Sequence, residues 1–130
     1  MIKFEMEKLV RDKIPQIIEG QGGMITRRTL GEEEFFRELQ IKLTEETTEL
    51  SEVKLCDKGE LINELADVQL ILDYLVKTSG ASDEELRQAI EVKSKKVGDF
   101  ENRTYIGTVK LPDDSEWVKY YRKKGFKEIR

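Results

Sequence analysis

The sequence predicts an all-α protein, built as an antiparallel bundle of four to five helices. Leu39, Leu43, Leu50 and Val53 recur at helical spacing along one segment. Residues 61–76 are apolar almost all the way round, as in a buried helix. Because the connections between these segments are short, neighbouring helices are expected to run antiparallel. At 130 residues the chain is most simply one domain.

The first helix is predicted to begin near Asp12 or Lys13 and to reach residue 19. Proline is tolerated only within the first turn of a helix, so Pro15 places the start just before it. Three glycines follow and end the helix. The β-branched, alternating residues 24–30 then predict a short extended segment.

Two long helices are predicted next, from Glu32 to Leu55 and from Glu60 to Thr78. The first opens with three glutamates, which are favourable at the positive end of a helix dipole. Residues 56–59 form a tight connection between the two helices, and Gly80 ends the second.

A fourth helix is predicted over residues 83–97, and a short C-terminal helix is predicted before Gly125. Ser82 and Glu85 form a capping box at the start of the fourth helix. The C-terminal helix mixes Trp117 and two tyrosines with lysine and arginine. That mixture is compatible with nucleic-acid binding, but rings packed against the bundle are the favoured interpretation.

Composition excludes several classes of function. The net charge of −4 comes from interspersed charges without a basic footprint, which argues against a nucleic-acid binder. One cysteine, Cys56, excludes an internal disulfide, and no segment resembles a signal peptide or a membrane span. A cytoplasmic protein without membrane contact is expected. Since histidine is absent, catalysis must use carboxylates, lysines, tyrosines or a metal-bound water.

Two pairs of acidic residues lie on helix faces that are otherwise apolar. Glu46 and Glu49 are three residues apart, as are Glu64 and Asp67, so each pair shares one helix face. Bare buried carboxylates are unfavourable unless they are paired or bind a metal. Facing one another across an antiparallel pair, these four acids predict a Mg²⁺ site. The alternative for Glu46 and Glu49 is an ordinary solvated face; for the second pair the apolar surroundings make that alternative harder to sustain.

Three segments resemble a known superfamily. KLTEETTEL followed by ELADVQLILDYL is similar to the E-x-x-E…E-x-x-D signature of the MazG-like all-α nucleoside triphosphate pyrophosphohydrolases. EKLVRDKIPQII resembles the opening of a branch labelled phosphoribosyl-ATP pyrophosphohydrolase-like, and EVKSKKVGDFENR resembles that branch's basic helix end. The resemblance covers residues 7–106 and leaves residues 107–130 as a tail. Gly-Asp-Phe stands where Gly-Gly-Phe is usual.

The resemblance implies that the four acids hold Mg²⁺, with Mn²⁺ as a substitute. The implied reaction is hydrolysis of a (d)NTP to a (d)NMP and pyrophosphate, in cleaning of the nucleotide pool. The runner-up substrate is phosphoribosyl-ATP, in histidine biosynthesis. A homodimer or homotetramer is also implied. An alternative from another class is a non-catalytic helical module, in which the acids pair with lysines of a partner subunit and specify assembly.

Further site residues follow from this expectation. Without histidine, Glu45 or Glu46 is the candidate general base, although Glu45 is equally explained as a solvated acid. Lys93, Lys96 and Arg103 are expected to bind phosphate, against the alternative that they only aid solubility.

Two more residues keep alternatives open. Arg11 is expected either to bind substrate or to form an ion pair with Asp12 that fastens the N-terminal segment to the bundle. Asp73 is expected either to contact the ribose or base of the substrate or to pair with a lysine across an interface.

Overall fold

The computed structural model describes residues 1–130 and contains five α-helices and no strand. These helices are α1 (Ile14–Gly20), α2 (Glu32–Ser51), α3 (Lys58–Thr78), α4 (Asp83–Val97) and α5 (Glu116–Lys124). The all-α prediction is therefore confirmed. The extended segment predicted over residues 24–30 is irregular and forms no strand. None of the helices combines the length and the apolar character needed to cross a membrane.

Side chains at the helix ends explain where the observed boundaries agree with the predicted ones and where they differ. At α4, the Glu85 amide donates to Ser82 Oγ at 3.1 Å and Ser82 Oγ donates to Glu85 at 3.3 Å, which confirms the capping box. α3 begins two residues earlier than predicted, because the Asp57 side chain accepts from the Glu60 amide and caps the helix.

α2 ends at Ser51, four residues before the predicted end at Leu55. The last turns of α2 are rich in threonine and serine, whose hydroxyls bond back to helix carbonyls; Ser51 Oγ donates to the Thr48 carbonyl at 2.6 Å. Such bonds compete with the regular helix ladder. The next amides, those of Glu52 and Val53, bond three residues back, so the chain leaves the helix through a tightened turn.

α2 and α3 form the only extensive helix pair of the first unit, and they run antiparallel. The ring of Phe35, near the start of α2, meets the ring of Tyr74, near the end of α3, with centroids 6.4 Å apart. Glu46, further along α2, lies beside Glu64, nearer the start of α3. The residue numbers in contact thus rise on one helix as they fall on the other, as the short connection predicts.

The buried core is small. Leu39 of α2 and Ile71 of α3 are the only buried apolar residues, at 4% and 8% exposure. α3 was predicted to be buried nearly all round, and this expectation is wrong for the single chain. Since only α2 packs extensively on α3, the other apolar faces of α3 stay exposed. They carry Ile62, Leu65, Leu70 and Leu72.

The chain divides into two compact units, residues 1–93 and residues 94–130. The division falls inside α4, upstream of the junction near residue 106 that the sequence suggested between core and tail. In the second unit, Ser115 caps α5 by accepting from the Trp117 amide. The rings of α5 pack on one another and on Phe126, with centroids 5.3 to 5.8 Å apart.

Candidate metal centre

Three of the four predicted ligands come together where α2 and α3 face each other. Glu46 of α2 and Glu64 and Asp67 of α3 each offer a carboxylate oxygen, and the three oxygens lie within 4.8 Å of one another. The three-residue spacing places Glu64 and Asp67 on one face of α3. Antiparallel packing then brings Glu46 to that face. We call these three residues the acid cluster.

Two oxygens of the acid cluster are buried without a partner. Glu64 is only 8% exposed, and its Oε2 accepts no hydrogen bond. Glu46 Oε2 is also buried and accepts none. Buried polar atoms are nearly always paired in folded proteins, because an unpaired one loses its hydration without compensation. Two orphaned oxygens on adjacent carboxylates are what a hard divalent cation would satisfy, so the residues fit the Mg²⁺ predicted for them.

The electrostatics of the acid cluster favour proton uptake when no cation is bound. Burial raises the pKa of the Glu46 carboxyl, and the negative charges of Glu49 and Asp67 raise it further, while Lys42 opposes the shift. Burial likewise raises the pKa of Glu64. The negative charges of Glu49, Asp67 and Glu46 raise it further. The charged forms of Glu46 and Glu64 are therefore destabilised by their acidic neighbours, and a cation placed among them would relieve that repulsion.

Glu49, the fourth predicted ligand, is exposed and lies outside the acid cluster. It lies beside the cluster instead. Glu49 and Glu64 line a cavity of about 490 Å³ at the end of the α2–α3 pair. The same cavity is lined by three further acids, Glu52, Asp57 and Glu60, and by one base, Lys54. The approach to the acid cluster from this side is thus strongly negative.

The N-terminal segment delivers two cations to the same helices. Arg11 Nη2 donates to Asp67 Oδ1 at 2.6 Å. Lys8 Nζ lies 3.3 Å from Glu45 Oε1. Arg11 thus forms an ion pair that fastens the N-terminal segment, as one of the two alternatives drawn from the sequence has it, but its partner is Asp67 of α3 and not Asp12. Asp67 thus has a basic partner of its own, whereas the orphaned oxygens of Glu46 and Glu64 have none.

The remaining predicted site residues are not members of the acid cluster. Asp73 accepts a hydrogen bond from Gln69 Nε2 of its own helix at 2.9 Å. Lys93 is exposed at the end of the first unit. Lys96 and Arg103 belong to the second unit and are also exposed.

Sequence reasoning missed both partners of the N-terminal segment. Lys8 and Arg11 are separated from Glu45 and Asp67 by 37 and 56 residues. The segment before α1 is irregular. No helical or strand periodicity exists there from which a facing side chain could be predicted.

Comparison of the chain with protein-family models, with curated proteins and with solved structures found no match.

Proposed function

We propose that this protein is a Mg²⁺-dependent nucleoside triphosphate pyrophosphohydrolase, which converts a (d)NTP and water to a (d)NMP and pyrophosphate. One observation carries the proposal: two buried carboxylate oxygens without partners, on Glu46 and Glu64, adjoin a third carboxylate, Asp67. The resemblance of the surrounding motifs to the MazG-like superfamily supports it and supplies the reaction.

Glu46, Glu64 and Asp67 would hold the cation, with Glu49 beside them as a further oxygen donor. When bound, Mg²⁺ or its substitute Mn²⁺ would neutralise phosphate charge and lower the pKa of a coordinated water. The protein's own carboxylates then have two tasks. They hold the cation in place, and one of them accepts the proton that the attacking water releases.

The proton acceptor is Glu45 or Glu46, since the chain has no histidine. The water oxygen bonds to the α-phosphorus, the bond from that phosphorus to the bridging oxygen breaks, and pyrophosphate leaves with the electron pair. Glu46 has a buried oxygen without a hydrogen-bond partner, and this oxygen can accept a proton. Glu45 is half-buried, and Lys8 holds its carboxylate.

Cations are needed for the phosphates, and Arg11 is the nearest to the acid cluster. Its ion pair with Asp67 joins side chains that are 57% and 31% exposed, and exposed pairs contribute roughly 0–1 kcal/mol. Exchange of Asp67 for a phosphate oxygen would therefore be easy for Arg11. Lys93, Lys96 and Arg103 remain proposed phosphate ligands, and Asp73 a proposed contact to ribose or base.

Assembly into a homodimer or homotetramer belongs to the same proposal. Large apolar side chains on α3 and α4 are exposed in the single chain, among them Ile62 at 57% and Ile90 at 56%. With two buried apolar residues, one chain alone buries little surface, and a second copy on these faces would bury more.

Pyrophosphate release from a panel of nucleotides tests the activity. The four common dNTPs, their ribose counterparts and phosphoribosyl-ATP are each incubated with the protein and Mg²⁺. Cleavage of phosphoribosyl-ATP alone would select the runner-up reaction. Glu64→Gln should abolish release, whereas Glu33→Gln, at a side chain 90% exposed on α2, should leave it unchanged. Absence of release from every compound would refute the proposal.

A non-catalytic helical module is the second candidate, and the Arg11–Asp67 and Lys8–Glu45 pairs favour it, because they show acids of these helices used to fasten another segment. Such a module would not need divalent cations. Mg²⁺ that leaves the thermal midpoint of the wild-type protein unchanged would favour this candidate, because a ligand of the native state must raise the midpoint.

A further inference from the structure

A second cavity of the first unit has no role in the chemistry described above. It has a volume of about 770 Å³, within the range of roughly 300–1,000 Å³ typical of small-molecule sites. The N-terminal segment, residues 25–30 and the start of α2 enclose it. Its wall is largely apolar: Leu9, Val10, Ile14, Ile18, Ile25 and Phe35 line it.

Polar groups interrupt this wall in a pattern suited to a heteroaromatic ligand. The hydroxyl residues Thr26 and Thr29 line the cavity, as does Glu38 of α2. The backbone amides of residues 24–30 donate to no other backbone group. These amides can therefore donate hydrogen bonds to the polar edge of a base, while Glu38 can accept from a sugar hydroxyl.

Phe35 is the one aromatic ring among the residues that line the cavity. Its ring meets that of Tyr74 nearly at right angles, at 81°. This edge contact restricts the orientation of Phe35. Nucleic-acid bases stack on such rings, with a typical contribution of about 1–3 kcal/mol per base.

The cavity is joined to the acid cluster by the residues they share. Arg11 lines the cavity and also donates to Asp67 at 2.6 Å. Lys8 lines the cavity and pairs with Glu45 at 3.3 Å. Two further cations of the lining, Arg27 and Arg28, pair with Glu19 and Glu34. A ligand with an apolar end in the cavity would thus extend its anionic end past Lys8 and Arg11 toward the carboxylates.

The backbone on this path is strained at one residue. Glu7, which lines the cavity, has a φ of +43°, a left-handed conformation that is unfavourable for a residue with a side chain. Such conformations are enriched at ligand sites, where the surrounding structure maintains them. The strained residue directly precedes Lys8, the first of the two connecting cations.

We propose that this cavity is the nucleoside subsite: it receives the base and sugar of the nucleotide, and Arg11 and Lys8 direct the phosphates to the acid cluster. The inference rests on the proposed function and adds to it the place where the nucleoside is recognised. It predicts that a nucleotide binds more tightly than inorganic tripolyphosphate, which has the same phosphate chain without base or sugar.

Thr29→Trp tests the subsite by filling it, and Thr108→Trp is the matched control. Both threonines are exposed and in irregular segments, but Thr108 lines neither cavity. Calorimetric titration with Mg²⁺ compares tripolyphosphate with α,β-methylene analogues of ATP and the dNTPs, in which the scissile bridge is blocked. Thr29→Trp should weaken the best analogue at least tenfold and change tripolyphosphate less than twofold. Thr108→Trp should change neither.

Hydrogen exchange on the wild-type chain provides a readout that does not depend on a variant that folds. The best analogue should protect amides of residues 24–30, and tripolyphosphate should not. Loss of affinity below threefold in a folded Thr29→Trp variant, or no protection of these amides, would overturn the subsite. If the wild type binds the analogue and tripolyphosphate with equal affinity, the nucleoside subsite is overturned, but the proposed hydrolase function is not. Binding of neither would overturn the proposed function as well.

Discussion

Neutralising Glu46 should stabilise the metal-free protein and remove its response to Mg²⁺. Glu46 and Asp67 offer oxygens within 4.8 Å of each other. Two like charges at this distance repel by roughly 0.9 kcal/mol in water and by roughly 3.5 kcal/mol at an effective dielectric constant of 20. Glu46 Oε2 is buried, but the residue as a whole is partly exposed, so the repulsion lies nearer the lower figure. Glu46→Gln should therefore raise the free energy of unfolding by about 1 kcal/mol.

For a chain of this size, about 1 kcal/mol corresponds to a thermal midpoint shift of roughly 3–5 °C. The amide of glutamine can also donate to the orphaned oxygen of Glu64, which adds to the gain. In the wild type, Mg²⁺ at one hundred times its dissociation constant should stabilise by about 2.7 kcal/mol. The variant has lost a ligand, so this second shift should largely disappear.

Calorimetric scans at one fixed protomer concentration, with and without Mg²⁺, measure both shifts. Glu33→Gln is the control, since its side chain is 90% exposed on the same helix. It should respond to Mg²⁺ as the wild type does, and its metal-free midpoint should not rise, because Glu33 pairs with Arg37 and lies at the positive end of the helix dipole. A lower midpoint for metal-free Glu46→Gln, together with equal Mg²⁺ responses in variant and wild type, would refute the reasoning, because Glu46 would then be a structural hydrogen-bonding residue.

Three further predictions concern the same site. Asp67→Asn should abolish pyrophosphate release. The circular dichroism spectrum and the thermal midpoint should stay close to those of the wild type, since relief of repulsion offsets the loss of the weak ion pair with Arg11. A large loss of stability would identify Asp67 as a structural ion-pair partner. Arg11→Gln should weaken nucleotide binding by calorimetry without weakening Mg²⁺ binding; weaker Mg²⁺ binding would contradict the exchange proposed for Arg11. Metal-free stability should rise as pH falls from 7 toward 4.5, the ordinary glutamate pKa, in urea titrations.

The sign of the pH effect follows from the direction of the two pKa shifts. Folding raises the pKa values of Glu46 and Glu64, so between the ordinary and the raised values the native state binds more protons than the unfolded state. The stabilisation is full below the ordinary value and is lost as pH rises through the folded values. Saturating Mg²⁺ should reverse the trend, because the metal binds the deprotonated carboxylates. Stability that falls steadily from pH 7 without metal would contradict the shifts.

Local signals in the sequence accounted for most of the helices. The capping box at Ser82 set the start of α4, because a cap depends on residues three apart in the chain. The end of α2 was predicted less well. Apolar spacing continues to Val53, but hydroxyl groups near Ser51 bond to the backbone and the helix ends first. Apolar periodicity shows which face of a helix is buried, but it does not show where the backbone hydrogen bonds of the helix end.

The acid cluster was predictable in part. Spacing placed Glu64 and Asp67 on one face, and the antiparallel connection brought Glu46 to them. Glu49 remained exposed outside the cluster, because the register of two helices depends on how their side chains interlock. The same limit applies to α3, whose apolar composition suggested burial on all sides. How much of a helix is covered depends on how many neighbours pack against it.

By itself the sequence determined the helical class, the antiparallel α2–α3 pair and the acids on their shared face, since these depend on residues close together in the chain. Only the tertiary structure decided which oxygens are buried without partners, that Arg11 reaches Asp67, and that the N-terminal segment encloses a cavity beside α2. These features join groups many residues apart, and their energies depend on distance and burial, which become defined only when the chain has packed.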